Sequence, residues 1–61
     1  MSARAMLNRR RIVDLHGAGD LAAALPLYLA WLAARPDDGI MWSNFGSLLR
    51  ARRQHDQALR A

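Results

Sequence analysis

Residues 20–36 read DLAAALPLYLAWLAARP, and this stretch decides the fold. Its apolar residues recur at steps of three and four positions, which is typical of a helix that buries a broad stripe. The predicted helix runs from Asp20, which is suited to capping it, to Arg35, and the proline at position 36 stops it. Pro26 lacks the amide proton for a bond back to Ala22, so we expect a kink there or a regular helix that begins near Leu25. The predicted stripe is Leu21, Ala24, Leu25, Tyr28, Trp31 and Leu32.

Two further helices are predicted, one on each side of this stretch. The turn residues at 17–20 separate it from residues 3–16, where Ala5, Ile12 and Leu15 share one helical face. After a second break at 35–39, the helical pattern returns over residues 38–53. Its apolar side holds either Ile40 or Met41, followed by Trp42, Phe45, Leu48 and Leu49.

A short fourth helix is predicted from about Gln54 to Ala61. Two turns of helix are stable only when they pack against something else, so this segment needs a neighbour. The sequence therefore predicts an all-α fold of three full helices and a short fourth.

Composition limits the class of protein. The chain has 61 residues and no cysteine, so it forms at most one small domain without disulfides or thiolate metal sites. With 52% apolar and 23% charged residues it is too apolar to be disordered. The uncharged run from Leu21 to Ala34 is too short to span a membrane, so we expect no membrane association. With no signal-peptide pattern, the cytoplasm is the expected location.

The chain also matches itself at an offset of 34 residues. This offset aligns Leu15 with Leu49, Ala24 with Ala58, and it places Leu25 opposite Leu59. A pattern of the type W-x2-L-G-x2-Y is matched by Trp42, Phe45, Gly46 and Leu49. The pattern continues with A-x3-F and then P, and these elements are matched one repeat earlier, by Ala24, Tyr28 and Pro36.

On these residues the chain resembles the tetratricopeptide repeat family. The resemblance covers nearly the whole chain, as one module at 1–61 with a first repeat at about 5–38 and a partial second repeat at about 39–61. It implies antiparallel helix hairpins in a right-handed solenoid. Small residues would lie where helices cross closely, and bulky ones would fill the space between them. The implied packing residues are Ala24, Tyr28, Trp31, Pro36, Trp42, Phe45, Gly46, Leu49 and Ala58.

Family members bind partners in the groove lined by the first helix of each repeat. Arg9 and Asn44 match a basic residue and an asparagine that grip a terminal carboxylate in members that dock chaperone tails. Val13 stands where a second asparagine would be expected, and Asn44 is also common in repeats without this function. The implied groove residues are Met6, Arg9, Val13, His16, Ile40, Ser43, Asn44, Ser47 and Arg50.

Nothing in the sequence predicts an enzyme. The two histidines, His16 and His55, have no metal-ligand spacing, and the glycines at 17 and 19 follow a helix rather than a strand. We therefore expect no catalysis, no metal and no cofactor. The family resemblance adds that such repeats often precede a catalytic domain, including glycosyltransferases and methyltransferases.

The expected partner is a protein or peptide, a second copy, or further repeats of a longer chain. Fewer than two repeats cannot cover all of Trp31, Trp42, Phe45 and Leu59, which predicts self-association. The alternative partner is nucleic acid, because nine arginines and no lysine give a formal charge of +4. Arginine clusters lie at 9–11 and 50–53, although arginines in the last turn of a helix also offset its dipole without any ligand.

Overall fold

The computed structural model describes residues 2–60, which form three α-helices. Helix α1 spans Ala3–Gly17, α2 spans Leu21–Ala34 and α3 spans Gly39–Arg60. Helix α2 packs against both of the others, and its short connections make each consecutive pair a helical hairpin. No strand occurs within residues 2–60, so the predicted all-α fold is confirmed. Met1 and Ala61, the ends of the predicted module, lie outside the described residues.

The turn between α1 and α2 depends on the backbone conformation of Gly19 and on the side chain of Asp20. Gly19 adopts a φ of +84°, a left-handed conformation that favours glycine and ends the first helix. The Asp20 carboxylate then accepts a hydrogen bond from the backbone amide of Ala23 at 3.3 Å, and this bond caps α2. The predicted bounds of α1 and α2 are confirmed to within one residue at each end.

The turn between α2 and α3 is held by two side chains. Asp38 directly precedes α3, and its carboxylate accepts the backbone amide of Met41 at 3.2 Å, which caps the helix. The indole Nε1 of Trp42 donates to the carbonyl of Pro36 at 2.8 Å. These bonds tie the first turn of α3 to the chain that enters it.

The core lies on the two sides of α2. Tyr28 of α2 and Met41 and Leu48 of α3 are completely buried. Of the two alternatives at the start of α3, Met41 faces the core, whereas Ile40 is 67% exposed. The predicted α2 stripe is confirmed, because all its members are buried or pack against the core. The buried set is Ala5, Ile12, Ala24, Tyr28, Trp31, Leu32, Met41 and Leu48.

Pro26 lies inside α2 and does not delay its start. The helix begins at Leu21, so the alternative of a regular helix that begins near Leu25 is wrong. The Asp20 cap and the packing of Leu21 and Ala24 stabilise the first turn. Proline at this position removes one intrahelical bond, and its own ring stays exposed.

The predicted fourth helix is also wrong for the described residues. Helix α3 continues without a break through residues 54–60. The physical reason is local: the glycines at 17 and 19 that end α1 correspond, at an offset of 34, to Ala51 and Arg53, which are good helix formers. From residue 52 to residue 60 every side chain of α3 is exposed.

Candidate functional site

A cluster of charged and aromatic groups joins α1 to the α2–α3 turn. Arg9 of α1 binds the Asp38 carboxylate with two nitrogens, Nε at 3.0 Å and Nη2 at 3.2 Å. Trp31 Nε1 donates to the same carboxylate at 2.9 Å. The guanidinium of Arg35 lies 4.0 Å from the centre of the Trp31 ring, which is a cation–π contact. We call Arg9, Trp31, Arg35 and Asp38 the turn cluster.

The turn cluster strongly favours the ionised form of Asp38. Its hydrogen bonds with Arg9 and then with Trp31 lower the pKa of Asp38 well below its usual range, because both donors stabilise the carboxylate. The two side chains of the ion pair are largely shielded, with 29% of Arg9 and 14% of Asp38 exposed. A bidentate pair in such surroundings contributes more than a fully exposed one.

An open groove of about 1040 Å³ lies beside the turn cluster. Met6 and Val13 of α1 form its apolar floor, and both are exposed. Arg10 and Arg35 supply positive charge at its edges. Arg10 is only loosely paired with Asp14, at 3.8 Å and with both side chains mostly exposed. The full lining is Met6, Arg9, Arg10, Val13, Asp14, Arg35, Asp37 and Asp38.

Three of the predicted groove residues, Met6, Arg9 and Val13, line this groove. Arg9 is engaged by Asp38 rather than presented to a ligand. The opposite wall comes from the α2–α3 turn and not from α3. The predicted residues of α3 are elsewhere: Ile40, Ser43, Ser47 and Arg50 are exposed, and Asn44 is partly buried.

His16 and Asn44 make contacts within the chain. His16 Nδ1 and the Tyr28 hydroxyl share a hydrogen bond at 2.7 Å, and the two rings meet edge to face. Burial raises the pKa of Tyr28. Asn44 Nδ2 lies 3.9 Å from the Met41 sulfur, a weak contact. Both predicted groove residues therefore support the core in this structure.

A second surface runs along the outer side of α3. Six exposed residues lie at spacings of four and three, so they form one face of the helix. Trp42 is 48% exposed and Leu49 is 43% exposed. Between them, a Cβ added to Gly46 would meet no atom within 4 Å. We call this surface the α3 stripe, and its members are Trp42, Gly46, Leu49, Arg53, Asp56 and Arg60.

The implied repeat-packing residues divide between core and surface. Ala24, Tyr28 and Trp31 are buried, and Phe45 packs at the core edge against Tyr28. On α3 the close helix approach expected at Gly46 does not occur, because the chain leaves open space there. A second helix would have to fold back after residue 53 to fill it, and α3 is unbroken there. The exposed members are Pro36, Trp42, Gly46, Leu49 and Ala58.

The arginines of α3 need a different explanation from the dipole effect. Helix α3 ends at Arg60, and of its arginines only Arg60 lies in its last turn. Arg50, Arg52 and Arg53 lie more than one turn earlier, where the effect of the helix dipole has fallen off. No carboxylate of residues 2–60 lies within 4.0 Å of these three side chains. Their positive charge is therefore available to a partner.

Among residues 2–60, no three His, Cys, Asp or Glu side chains are grouped to hold a metal ion. Across the same range, none of the helices combines the length and the apolar character needed to cross a bilayer.

Comparison of the chain with protein-family models, with curated proteins and with solved structures found no match.

Proposed function

We propose that this chain is a protein–protein interaction module that binds a partner protein, a peptide or a further copy of itself, without catalysis of its own. The groove beside the turn cluster carries the proposal. Met6 lines this groove, and 60% of it is exposed to solvent. Exposed apolar surface rimmed by polar groups is typical of protein interaction sites.

The groove favours a peptide that has both apolar and acidic side chains. An apolar side chain would cover Met6 and Val13, and carboxylates would meet Arg10 and Arg35 at the edges. Arg9 would act by holding the groove wall through Asp38, since its Nε and one N–H of Nη2 already donate to that carboxylate. A wall that is already formed before binding reduces the conformational entropy lost when the peptide binds.

The tetratricopeptide interpretation remains part of this proposal. A helical hairpin with Ala24 and Tyr28 buried at its centre fits a first repeat. An N-terminal repeat segment of a larger protein would use α3 as the start of the next repeat. The open surroundings of Gly46 and the continuous α3 are the features that such an extension would have to change.

Two adjacent residues of α1 provide the test. Met6 lines the groove and Leu7 does not, yet both are mostly exposed, at 60% and 70%. The probe is a set of blocked peptides of about ten residues that combine Leu or Phe with Asp or Glu, measured by NMR chemical-shift titration. We expect Met6→Glu to weaken binding about tenfold and Leu7→Glu to change it less than twofold. Equal effects of the two substitutions would contradict the groove assignment.

Nucleic-acid binding is the second candidate function. It is favoured by one observation: Arg50, Arg52 and Arg53 lie in the middle of α3, and no carboxylate of residues 2–60 lies within 4.0 Å of their side chains. Phosphate binding by these side chains would make affinity fall steeply with salt. A 20-nucleotide single-stranded RNA and a duplex DNA, titrated from low to physiological salt, would test it. Weak binding at every salt concentration would exclude this function.

A further inference from the structure

The structure assigns a second docking surface to this protein, beyond the groove: we propose that the α3 stripe binds an amphipathic helix of an acidic partner protein. The inference rests on the proposed function, in that the chain binds proteins. It concerns residues on another helix face, whose apolar and charged halves follow one another along α3.

The first half of the stripe is an apolar surface on which a second helix can pack. Trp42 and Leu49 lie two turns apart with Gly46 between them, and the rings of Trp42 and Phe45 meet edge to face with their centres 6.3 Å apart. The Trp42 indole is fixed in place because its Nε1 donates to the carbonyl of Pro36. Because the space above Gly46 is open between these two apolar residues, the backbone of a second helix can approach α3 closely there, provided that the incoming helix has a small residue at the facing position.

The second half of the stripe determines the charge of the partner. On the stripe this half has Arg53, Asp56 and Arg60, and Arg50 and Arg52 of the same helix lie on either side of the stripe, so the surface around this half is positively charged. All five of these side chains are exposed. An incoming helix with Glu or Asp at the facing positions would form ion pairs with Arg53 and Arg60, whereas a basic helix would be repelled.

Charge also determines the direction of the partner helix. Acidic residues stabilise a helix when they lie near its N-terminus. An antiparallel arrangement places the N-terminal half of the partner on the arginines and its C-terminal half on Trp42, Gly46 and Leu49. The partner would therefore be acidic in its first turns and apolar, with one Ala or Gly, in its later turns.

The same charges argue against a second copy as the occupant. Each copy has a formal charge of +4, and its α3 offers only Asp56 to the arginines of the other. A pairing of two copies thus leaves most of these arginines without partners and adds repulsion. Nucleic acid would use the arginines alone and would leave Trp42 and Leu49 without a role.

The experiment measures binding of one designed peptide by fluorescence anisotropy. The probe is a blocked, labelled peptide of about 20 residues with Glu, Glu, Leu, Ala and Leu at successive stripe-facing positions, and Gln and Ala elsewhere. Its control has the same residues in reverse order. We expect the reversed peptide to bind about tenfold more weakly, since its acidic half then faces the apolar half of the stripe. Equal affinities for the two peptides would overturn the proposed direction.

Matched variants of α3 locate the contact. Leu49 lies on the stripe and Ile40 does not, although both are exposed apolar residues of α3. We expect Leu49→Gln to weaken binding about tenfold and Ile40→Gln to leave it within twofold. Gly46→Leu fills the open position and is expected to weaken binding at least as much, while circular dichroism shows an unchanged helical fold. Equal losses from Leu49→Gln and Ile40→Gln would overturn the site.

Two further measurements separate the other occupants. Sedimentation equilibrium that shows a dimer of the natural chain and a monomer of Gly46→Leu would assign the stripe to a second copy and overturn the proposal. Displacement of the peptide by a 20-nucleotide RNA, with RNA affinity unaffected by Leu49→Gln, would assign it to nucleic acid with the same consequence. Met6→Glu should not change this peptide's affinity, so failure of the stripe can be distinguished from failure of the groove.

Discussion

The two halves of α3 differ in what holds them. At its start, the Asp38 carboxylate accepts the Met41 amide and binds Arg9 and Trp31, and Leu48 lies fully buried against the core. Beyond residue 51 every side chain is exposed, and the backbone bonds of the helix are its main support. The fold therefore depends on the first half, while the second half can carry binding groups at little cost to stability. The groove borders the bonds of Asp38, and the apolar part of the stripe lies on the first half of α3.

The largest expected effect comes from placing proline in each half in turn. Ser47→Pro would remove an intrahelical bond beside Leu48 and clash with the preceding turn, so we expect a loss of about 3 kcal/mol or more, enough to unfold a domain of this size. Gln54→Pro would end the helix after the last core contact and should cost the core less than about 1 kcal/mol. Urea unfolding followed by far-ultraviolet circular dichroism measures both. Similar losses would mean that the second half of α3 supports the core after all.

Breaking the turn cluster should have the next largest effect. Asp38→Asn would keep an oxygen that can cap α3 but would leave the Arg9 guanidinium without its carboxylate, at a cost of about 2–3 kcal/mol. The control is Asp37→Asn, because Asp37 is the adjacent, exposed residue. We expect that variant to unfold within about 0.5 kcal/mol of the natural chain in the same urea titration. Equal destabilisation by the two variants would show that general charge, and not the cluster, is responsible.

The same carboxylate predicts how stability depends on pH. Contact with Arg9 lowers the pKa of Asp38 in the folded state, so the folded chain favours the ionised form more than the unfolded chain does. The stabilisation is present above the unfolded pKa of about 3.9 and is lost as pH falls below it. We expect a loss on the order of 1–3 kcal/mol between pH 5 and pH 2, by thermal melting. In Asp38→Asn the dependence should be shallower; an identical pH profile for that variant would rule out Asp38 as its source.

Much of this arrangement could be predicted from local sequence. The stripe of α2 follows from periodicity, its N-terminal cap from Asp20 and its end from Pro36, which stops the helix, so the bounds of α1 and α2 were predictable within a residue. The continuation of α3 was predictable in principle, since residues 51–54 contain no glycine or proline. The 34-residue self-match suggested a turn there that these residues do not form.

The turn cluster could not be predicted in the same way. Arg9 and Asp38 are 29 residues apart, and only the packing of α1 against α2 brings the guanidinium to the carboxylate. The family resemblance implies that Arg9 grips a ligand's carboxylate; in the structure the carboxylate that it binds belongs to the chain itself. The floor of the groove was partly predicted through Met6 and Val13, but its opposite wall depends on the turn conformation.

The smallest expected effect concerns two glycines that the fold uses differently. Gly46 lies inside α3 with open space around its Cβ position, so Gly46→Ala should stabilise the chain by about 0.5–1 kcal/mol through better helix propensity. Gly19 has equally open surroundings, but its φ of +84° is unfavourable for alanine, so Gly19→Ala should destabilise by about 1 kcal/mol. In thermal melts we expect the melting temperature to rise in Gly46→Ala and to fall in Gly19→Ala. A loss of stability in Gly46→Ala would contradict the open surroundings of Gly46 and would mean that another group contacts the α3 stripe in solution.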